Sequence, residues 1–339
     1  MRKLASIQTI RKIEPIEGAD FIELATINNW QVVVGKGINQ VGDKVVYCEI
    51  DSFLPIEPEF EFLRKTSYKK IDDKEGFRLR TIKMRNKISQ GLIIPLDDAK
   101  EIINRNGFSI DKFNINDDLT EMLRIEKYEP PIPANLSGVI KGGFPGFLFK
   151  TDEERIQNLT DKYEEYLKET FYVSEKLDGS SMTIFLRDDK FGICSRNYEL
   201  ERSDENTFWE VAKNLKIEEK LKKLGKNISI QGELIGEGIQ KNPYKIKGQT
   251  IRIFNVFDID KQEYYNLKNF KNFLNEIEIE SVPILDENFK LPKNINDLIK
   301  MANGKSKLEN TKREGLVIRS LNRKISFKVI SNKFLLSED

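Results

Sequence analysis

The sequence has 339 residues, of which 39% are hydrophobic and 33% are charged, with a net charge of +1. This length allows two domains with separate cores, and the near-neutral charge excludes a globally basic protein, so any nucleic-acid site must be a local patch. The sequence has no histidine, which excludes Ser-His-Asp hydrolases, imidazole-bound zinc and histidine acid–base chemistry and leaves lysine, arginine, carboxylates and metal ions.

The cysteines and the apolar segments indicate the cellular environment. Cys48 and Cys194 lie far apart in strand-like segments, so neither a disulfide framework nor a CxxC metal site is expected. No apolar run approaches the roughly 20 residues that span a bilayer, and the N-terminus leads into no signal-peptide core. We therefore expect a cytoplasmic protein that does not bind membranes, and we expect a monomer.

Short strands dominate the first part of the chain. The segments with strand-like composition are residues 21–27, 30–34, 44–50, 77–82 and 91–95. Asn28-Asn29 between the first two is a hairpin signal. This density of short strands predicts a small barrel of the oligonucleotide-binding (OB) type. A barrel that serves only packing or protein contacts is the alternative.

Three cations alternate beside the fourth of these strands: Lys83, Arg85 and Lys87. They could form a basic stripe that binds phosphates. An edge strand protected by lysine is the competing interpretation, because edge strands commonly carry this residue. Both interpretations stay open at this point.

A segment rich in proline and glycine separates the two parts of the chain. It begins with YEPPIP at residues 128–133 and continues with glycines up to Gly146. Proline favours extended backbone and glycine permits turns, so the segment is typical of a connector. We predict an N-terminal domain of residues 1–130, a linker of residues 131–149 and a second domain of residues 150–339.

Strands and helices alternate after the connector. The strand-like segments are residues 171–177, 181–186, 228–230, 251–257 and 315–319. Apolar residues at helical spacing predict helices over residues 208–224, 266–277 and 295–302. The second domain is therefore predicted to be α+β, with antiparallel sheets and flanking helices.

The strongest chemical signal is the segment EKLDGSS at residues 175–181. Lys176 closes a buried-looking strand, where loss of water can lower the pKa of its ammonium and give an amine nucleophile. Asp178 is placed to influence a metal ion or its waters, and Gly179 lets the backbone approach a phosphate. Taken alone, the lysine motif is more typical of a surface turn after a strand.

Further motifs follow the lysine in order. They are SRN at residues 195–197, GELIG at 232–236, FNVFD at 254–258, EGLVIR at 314–319 and SFKV at 326–329. This succession resembles the covalent nucleotidyltransferase superfamily, which comprises ATP-dependent RNA and DNA ligases and mRNA capping enzymes. GELIGEGIQKN is similar to the nick-sealing RNA ligases of phage and kinetoplastid type. A strand-rich domain before the lysine resembles the Naegleria-type RNA ligases.

The resemblance covers residues 150–334 by motif and the first 130 residues by domain order and strand pattern. It implies an N-terminal OB-like β-barrel followed by an antiparallel-sheet nucleotidyltransferase domain, an ATP-grasp-like ligase domain, with flanking helices. It also implies that Lys176 attacks the α-phosphorus of ATP and then carries AMP. Lys328 would neutralise charge on that phosphate, and Arg196 would grip phosphate or ribose.

The resemblance assigns carboxylates and metal ions to the same reaction. Glu233 would bind the ribose or a metal-bound water, and Glu314 would help to hold the catalytic metal. Asp178, Glu233 and Glu314 are the expected metal residues, in part through waters. Mg²⁺ or Mn²⁺ is expected because lysine cannot attack an anionic triphosphate unless the charge is compensated, and carboxylates suit these hard cations.

Glu175, Asp178 and Gly179 of the lysine motif are expected to contact ATP. Phe257 would stack on the adenine. The alternative is that Phe257 is an ordinary core residue, with Phe254 as the rival for the stacking role.

An upstream element, KTDEER at residues 150–155, also resembles a family feature. There Arg155 would reach the ATP phosphates or the incoming 5′-phosphate. A solvated helix start with Asp152 near its N-terminus explains the same residues. The two interpretations stay open.

Two positions depart from the phage-type pattern. Ser181 stands where those enzymes usually have asparagine, and Ile330 stands where they often have a second lysine. Lys324 and Lys333 are candidates to replace that lysine.

The expected function is ligation in three steps, with RNA as the expected substrate. Lys176 is adenylated, AMP passes to a 5′-phosphate, and a 3′-hydroxyl displaces AMP to form a phosphodiester. Sealing of DNA or mixed RNA–DNA nicks is the alternative, because no residue can be assigned to 2′-hydroxyl contacts. A capping-type guanylyltransferase and an inactive nucleic-acid-binding homologue are further alternatives.

Overall fold

The structure is a computed structural model that describes residues 3–71, 73–110, 112–129 and 134–337. The chain divides into two compact units, one of Met1–Pro131 with Leu335–Asp339 and one of Ile132–Phe334. The boundaries expected from the sequence, with a linker over residues 131–149, stay a prediction.

The first unit consists mainly of short antiparallel strands. They are β1 (Ala5–Pro15), β2 (Ile22–Ile27), β3 (Trp30–Gly35), β4 (Lys44–Cys48), β5 (Ser52–Leu54), β6 (Tyr68–Ile71), β7 (Lys74–Arg78), β8 (Thr81–Met84), β9 (Lys87–Gln90), β10 (Leu92–Ile94) and β11 (Glu126–Lys127). Its helical segments are a 3-10 helix (Pro58–Leu63), α1 (Arg64–Ser67) and α2 (Leu96–Arg105).

The long strand β1 organises this unit. Its first half pairs with β4 and its second half pairs with β2, and the register shifts between Ile10 and Lys12. A bent strand that pairs with a different neighbour on each half curves the five-stranded sheet, which has the order β10-β4-β1-β2-β3. Apolar residues of α2 complete the core that this sheet shares with β5 and β7. This arrangement is the small barrel predicted from the strand density.

One predicted strand of this unit is wrong. Residues 77–82 belong to two strands, because β7 pairs with β5 and β6 whereas β8 pairs only with β9. Phe77 and Leu79 are both buried across the break. The apolar pattern therefore continues where the strand changes partner, and periodicity alone could not locate the change.

The strands of the second unit form a seven-stranded sheet and a four-stranded sheet. They are β12 (Ile140–Gly143), β13 (Phe171–Lys176), β14 (Ser180–Arg187), β15 (Lys190–Cys194), β16 (Tyr198–Leu200), β17 (Ile228–Gly236), β18 (Gln249–Asp258), β19 (Glu263–Tyr264), β20 (Ile284–Phe289), β21 (Gly315–Ser320) and β22 (Ser326–Ile330). The segment expected as a linker thus contributes β12 as an edge strand.

The helices after residue 133 are short. They are α3 (Ala134–Ser137), a 3-10 helix (Ile156–Lys162), α4 (Tyr163–Tyr166), α5 (Thr207–Asn214), α6 (Ile217–Leu224), α7 (Leu267–Glu276), α8 (Ile295–Ala302) and α9 (Asn332–Leu335). Nowhere in the described ranges is a helix long and apolar enough to cross a membrane.

The two sheets of the second unit are antiparallel and carry separate cores. The seven-stranded sheet has the order β12-β16-β15-β14-β17-β18-β19, and α5, α6 and α7 pack on it. The four-stranded sheet has the order β20-β13-β21-β22, and α4, α8 and the second 3-10 helix pack on it. The predicted α+β class, with antiparallel sheets and flanking helices, is confirmed.

The helix predicted over residues 208–224 is interrupted. α5 ends at Asn214 and α6 begins at Ile217, with Lys216 between them at a φ of +53°. A left-handed lysine is unfavourable by itself, so packing of both helices on the sheet must compensate for it. Gly225, also left-handed, ends α6 as predicted.

We predict that Phe327 is essential to the four-stranded sheet. It is fully buried in β22, with its ring stacked on Tyr166 and edge-on to Phe171. Phe327→Ala should lower the free energy of unfolding by about 3–5 kcal/mol because it leaves a cavity. Chemical denaturation measures this, with Leu321→Ala, at a position 40% exposed, as the control that should change it by at most about 0.5 kcal/mol. Equal losses in both variants would contradict the assignment.

Candidate active site

The end of β13 places a lysine beside a glutamate. Lys176, the last residue of β13, pairs with Gly315 at the start of β21. Glu314 immediately precedes that strand, and its Oε1 lies 2.6 Å from Lys176 Nζ. A Cβ at Gly315 would lie 2.4 Å from the Val329 carbonyl oxygen. The close packing of β21 on β22 therefore requires glycine next to this ion pair.

Three carboxylates surround the Lys176 ammonium. Burial lowers the pKa of Lys176, but the carboxylates of Glu314, Glu233 and Asp178 together outweigh burial, and the net pKa is raised above its ordinary value. The lowered pKa expected from the sequence is therefore wrong for the free protein. The strand motif predicts the burial correctly but does not reveal how many carboxylates the fold brings to the same point.

The same surroundings favour the neutral form of Glu233, whereas they favour the charged form of Lys176. It lies in β17 opposite Ser181 of β14. Burial, together with the Glu314 and Asp178 carboxylates, outweighs the opposing effect of Lys176 and Arg196 and raises the pKa of Glu233 to about 8. The carboxyl group is therefore mostly neutral at pH 7 in the free protein, and it can donate a hydrogen bond as well as accept one.

The residues around Lys176 fit Mg²⁺ or Mn²⁺. The second carboxylate oxygen of Glu314, Oε2, is buried and has no hydrogen-bond partner. Carboxylate oxygens are the donors that these hard cations prefer, and both cations usually keep several waters. Within the residues that the structure describes, no group of three or more His, Cys, Asp or Glu side chains is arranged to hold a metal by itself. The fit is therefore to an ion whose coordination is completed by water or substrate.

The backbone turn after Lys176 is held by a distant loop. The Asp178 amide donates a 2.6 Å hydrogen bond to the Tyr244 hydroxyl, and Gln240 Nε2 donates to the Gly179 carbonyl oxygen at 3.3 Å. Tyr244 is buried, and burial raises the pKa of its hydroxyl. Both residues lie in the loop between β17 and β18, so this loop fixes the turn on both its amide and its carbonyl side.

Gly179 itself meets β17. A Cβ at this position would lie 2.4 Å from the Leu234 carbonyl oxygen and 2.8 Å from Glu233 Cγ. The close approach to the strand that carries Glu233 therefore requires glycine. The approach to a phosphate, which the sequence suggested, stays a prediction.

Two cations expected to bind phosphate converge on one aspartate. Lys328 Nζ donates to Asp152 Oδ1 at 3.1 Å, and Arg196 Nη2 lies 3.7 Å from Asp152 Oδ2. Lys328 is almost completely buried, and its backbone amide donates to the Glu154 carbonyl oxygen at 2.8 Å. The upstream element is therefore attached to β22 and presents Asp152 between the two cations.

Arg155 is a buried residue. It forms an isolated parallel bridge with Lys328 and is 5% exposed, and the 3-10 helix begins after it at Ile156. The solvated helix start considered for this segment is therefore wrong for Arg155. Its contact with ATP or with a 5′-phosphate stays a prediction.

Arg319 connects the upstream element to β13. Its guanidinium lies 3.1 Å from Glu153 Oε1 and donates to Ser174 Oγ at 3.3 Å, and the side chain is 2% exposed. This contact holds the segment that carries Asp152 against the strand that carries Lys176.

Glu175 points to the other side of β13 from Lys176. Its Oε2 accepts from the Lys307 amide at 2.9 Å, whereas its Oε1 is buried without a hydrogen-bond partner. Burial raises the pKa of Glu175, against the lowering effect of the Ser306 hydroxyl, the Lys307 amide and Arg313. A buried acceptor without a partner is costly, so Oε1 is suited to a donor on a bound molecule.

The structure distinguishes the two phenylalanines considered for the adenine. Phe257 is 2% exposed and packs in a core cluster, with Phe149 and Tyr264 against its ring. Phe254 is only partly buried and packs against the cluster that contains Leu177. Because Phe257 is enclosed by its own core, the structure favours Phe254, the rival considered from the sequence.

Sequence reasoning missed four residues at this site: Tyr244, Gln240, Asp152 as a partner of cations, and Arg319 as a connector. Tyr244 and Asp178 are 66 positions apart, and Asp152 and Lys328 are 176 apart. No spacing rule joins such pairs. The only available signal was that Asp152 and Arg319 lie inside motifs already selected for other residues.

Two family models match separate parts of the chain. A family model described as an OB-fold domain matches residues 4–96, and the RNA ligase family model matches residues 169–331. No curated protein matches the chain. The OB-type barrel predicted from the strands is confirmed by the first of these matches.

Several solved structures of one enzyme are similar to this chain. The apo form of a Naegleria gruberi RNA ligase variant is 41% identical, with a TM-score of 0.93 over 99% of this chain and 98% of that chain. The Naegleria gruberi RNA ligase with PPi is 42% identical, with a TM-score of 0.92 over 100% and 99%. A variant with ATP and Mn is 41% identical, with a TM-score of 0.91 over 98% of each chain.

We predict that Tyr244 positions the turn after Lys176. Tyr244→Phe leaves the partly buried Asp178 amide without an acceptor, which should slow the formation of lysyl-AMP from ATP by about tenfold. Single-turnover labelling with α-labelled ATP measures the rate.

Tyr163→Phe is the matched control for this experiment. Like Tyr244→Phe, it removes a hydrogen-bonded tyrosine hydroxyl, which here donates to the Pro292 carbonyl oxygen at 2.7 Å. It leaves the turn after Lys176 intact. Its labelling rate should stay within about twofold of wild type. Equal rates for the two variants would contradict the positioning role of Tyr244.

Proposed function

This chain belongs to the RNA ligase family and is an ATP-dependent RNA ligase, in which we propose that Lys176 is the nucleophile. The observation that carries the assignment of Lys176 is its 2.6 Å contact with Glu314, inside a group of carboxylates that fits a divalent cation. The ends that it joins are a 3′-hydroxyl and a 5′-phosphate. The relatives solved with ATP and Mn support ATP and a divalent metal as the requirements of this chain.

The first step needs a neutral amine at Lys176. Because carboxylates raise the pKa of Lys176 in the free protein, its proton must be removed as ATP binds, and Glu314 is the nearest acceptor. The Nζ–Pα bond then forms as the bond between Pα and the bridging oxygen breaks, and pyrophosphate leaves. A bound Mg²⁺ or Mn²⁺ would supply positive charge to the phosphates, with Asp178, Glu233 and Glu314 as the residues that would hold it.

We propose that Lys328 binds the α-phosphate and that Arg196 binds a phosphate or the ribose. Both side chains approach the Asp152 carboxylate in the free protein, so they are already placed to hold an anion. The phosphate takes the place of that carboxylate. Lys328 is deeply enclosed, and a lysine in such a position stabilises the charge that develops on the phosphate more strongly than an exposed one.

Phe254 and Glu175 are proposed to hold the adenine. The Phe254 ring offers a face for stacking next to the residues that follow Lys176. Glu175 Oε1 offers a buried acceptor to the exocyclic amino group of adenine. A guanine has a carbonyl oxygen at the corresponding position, which would leave this acceptor unsatisfied. The same contact would therefore favour ATP over GTP.

The later steps use the AMP carried by Lys176. The 5′-phosphate of one strand attacks Pα and frees the lysine, and the 3′-hydroxyl of the other strand then attacks the capped phosphate and releases AMP. RNA is the proposed strand type. We also propose that the protein works as a monomer in a reducing, cytoplasmic environment, in which its cysteines, both free and buried, need no disulfide.

We predict that α-labelled ATP with Mg²⁺ or Mn²⁺ labels the wild-type protein and does not label Lys176→Ala. EDTA should abolish the labelling, because the charge of the triphosphate is then uncompensated. Chasing the labelled protein with nicked duplexes whose strand ends are RNA or DNA should release the label into sealed product, with RNA preferred. Labelling of Lys176→Ala at the wild-type rate would contradict the assignment of the nucleophile.

We predict that alanine substitutions of the two phenylalanines of β18 impair different properties, ATP binding for Phe254 and stability for Phe257. Phe254→Ala should raise the KM for ATP in lysyl-AMP formation by about tenfold, because base stacking contributes roughly 1–3 kcal/mol, and Phe254→Tyr should restore it. Phe257→Ala should instead lower the free energy of unfolding by about 3–5 kcal/mol. A normal KM in Phe254→Ala together with a raised KM in folded Phe257→Ala would reverse the assignment.

A further inference from the structure

A basic hairpin projects from the OB-fold unit. β8 and β9 form a two-stranded sheet of their own, in which Met84 pairs with Lys87 across a two-residue turn. The turn residues Arg85 and Asn86 both have positive φ values, of 45° and 64°. Such turns favour asparagine followed by glycine. Here an arginine occupies the first turn position, so the hairpin keeps a cation at its tip despite the unfavourable backbone.

The base of this hairpin is firmly attached to the barrel. The Val33 amide donates to Ser89 Oγ at 3.0 Å, and the Tyr47 hydroxyl donates to the Gln90 carbonyl oxygen at 2.9 Å. Gln90 Nε2 also donates to Thr81 Oγ1 at 3.3 Å across the two strands. Residues 82–87, by contrast, are all exposed. The hairpin is therefore an exposed tip on a well-ordered base.

The charge of this hairpin is one-sided. Residues 76–96 contain five Lys or Arg residues and no Asp or Glu, whereas acids outnumber bases over the rest of the unit. Through residues 3–71, 73–110, 112–129 and 134–337, no ion pair involves Lys83, Arg85 or Lys87.

Five other exposed cations of the same unit are paired with acids: Lys12–Glu14, Arg64–Glu61, Lys70–Glu75, Lys74–Glu126 and Arg105–Glu59. Three cations left without acids on one hairpin are better explained by an anionic partner.

Apolar side chains lie between the cations. Ile82 and Met84 are 40% and 37% exposed in β8, and they alternate with Lys83 along the strand. Met84 and Lys87 are directly opposed and therefore project from the same face. Lys83 projects from the opposite face, where it pairs with Ile88, so each face of the hairpin combines a cation with apolar groups. This combination is complementary to the charged phosphates and less polar sugars of a nucleic-acid backbone.

We propose that the β8–β9 hairpin binds the sugar–phosphate backbone of the RNA duplex whose ends are joined. This proposal rests on the proposed RNA ligase function. The contact is independent of base sequence, because exposed lysine and arginine side chains read phosphates rather than base edges. It gives the OB-fold unit a defined part in substrate docking and selects one of the two interpretations of Lys83, Arg85 and Lys87.

The test compares two triple variants of the full chain. In the hairpin variant, Lys83→Ser, Arg85→Ser and Lys87→Ser remove the cations that lack acidic partners. In the control variant, Lys213→Ser, Lys222→Ser and Lys271→Ser remove three exposed cations that are paired with Asp204, Glu218 and Glu287. Both variants lose the same net charge. Fluorescence anisotropy with a nicked 5′-phosphorylated RNA duplex gives the Kd over a series of salt concentrations.

The hairpin variant should bind about tenfold or more weakly. Its plot of log Kd against log salt should be shallower by about two to three, because each cation removed leaves roughly one phosphate without its neutralising partner. The control variant should stay within about threefold of wild type and keep the slope. Wild-type affinity in the hairpin variant, or an equal loss in both variants, would overturn the proposal.

A second measurement distinguishes RNA binding by the hairpin from the proposed ligase reaction: the rate of lysyl-AMP formation from ATP without RNA. It should stay within about twofold of wild type in the hairpin variant, which also shows that the variant is folded. If the wild-type protein formed no lysyl-AMP, the enzymatic proposal would fail, whereas the comparison of RNA binding would still decide the role of the hairpin.

Discussion

The pairing of β13 with β21 is the constraint on which the active site depends. It sets Lys176 opposite Gly315, so that Glu314, one residue earlier, reaches the lysine. A shift of one residue would turn every side chain of β13 to the other face of the sheet. Lys176 would then lose its carboxylates, and Glu175 would leave the Lys307 amide. The glycine at position 315 protects this register because no larger residue fits against β22.

The site obtains its reactivity from charge placement rather than from histidine. Lys176, Glu314 and Glu233 form a compact group whose members raise or lower the pKa values of one another. In such a group protonation depends on which charges enter with the substrate, so ATP and its metal change the state of the lysine as they bind. Residues outside this group hold the backbone segments of the site in position. Tyr244 fixes the turn after the lysine, and Arg319 joins the upstream element to β13.

The sequence predicts the elements of the second unit well, and its motifs select residues that the fold brings together around Lys176, because strand composition and motif order are local properties. The sequence does not predict features that depend on which strands or side chains become neighbours in the fold. The break between β7 and β8 and the left-handed Lys216 both occur inside continuous apolar patterns. The pKa of Lys176 was expected to fall because burial can be inferred from a strand. Its rise comes from Glu233 and Glu314, which only the folded chain brings close. Phe257 and Phe254 are equivalent in the motif and differ only in what packs against them.

Asp152 gives the site a property that its cations alone would not have. Its carboxylate already lies between Lys328 and Arg196. In the proposed function, in which these two cations bind phosphate, an arriving phosphate would replace one anion by another instead of adding charge to an empty basic pocket. Exchange of this kind releases few counterions, so the affinity for ATP should depend only weakly on salt. It also keeps the two cations from capturing stray anions, since any ligand must compete with a carboxylate that is tethered in place. In that proposal the protein carries its own weak occupant of the phosphate site, which a polyanion with several contacts would displace.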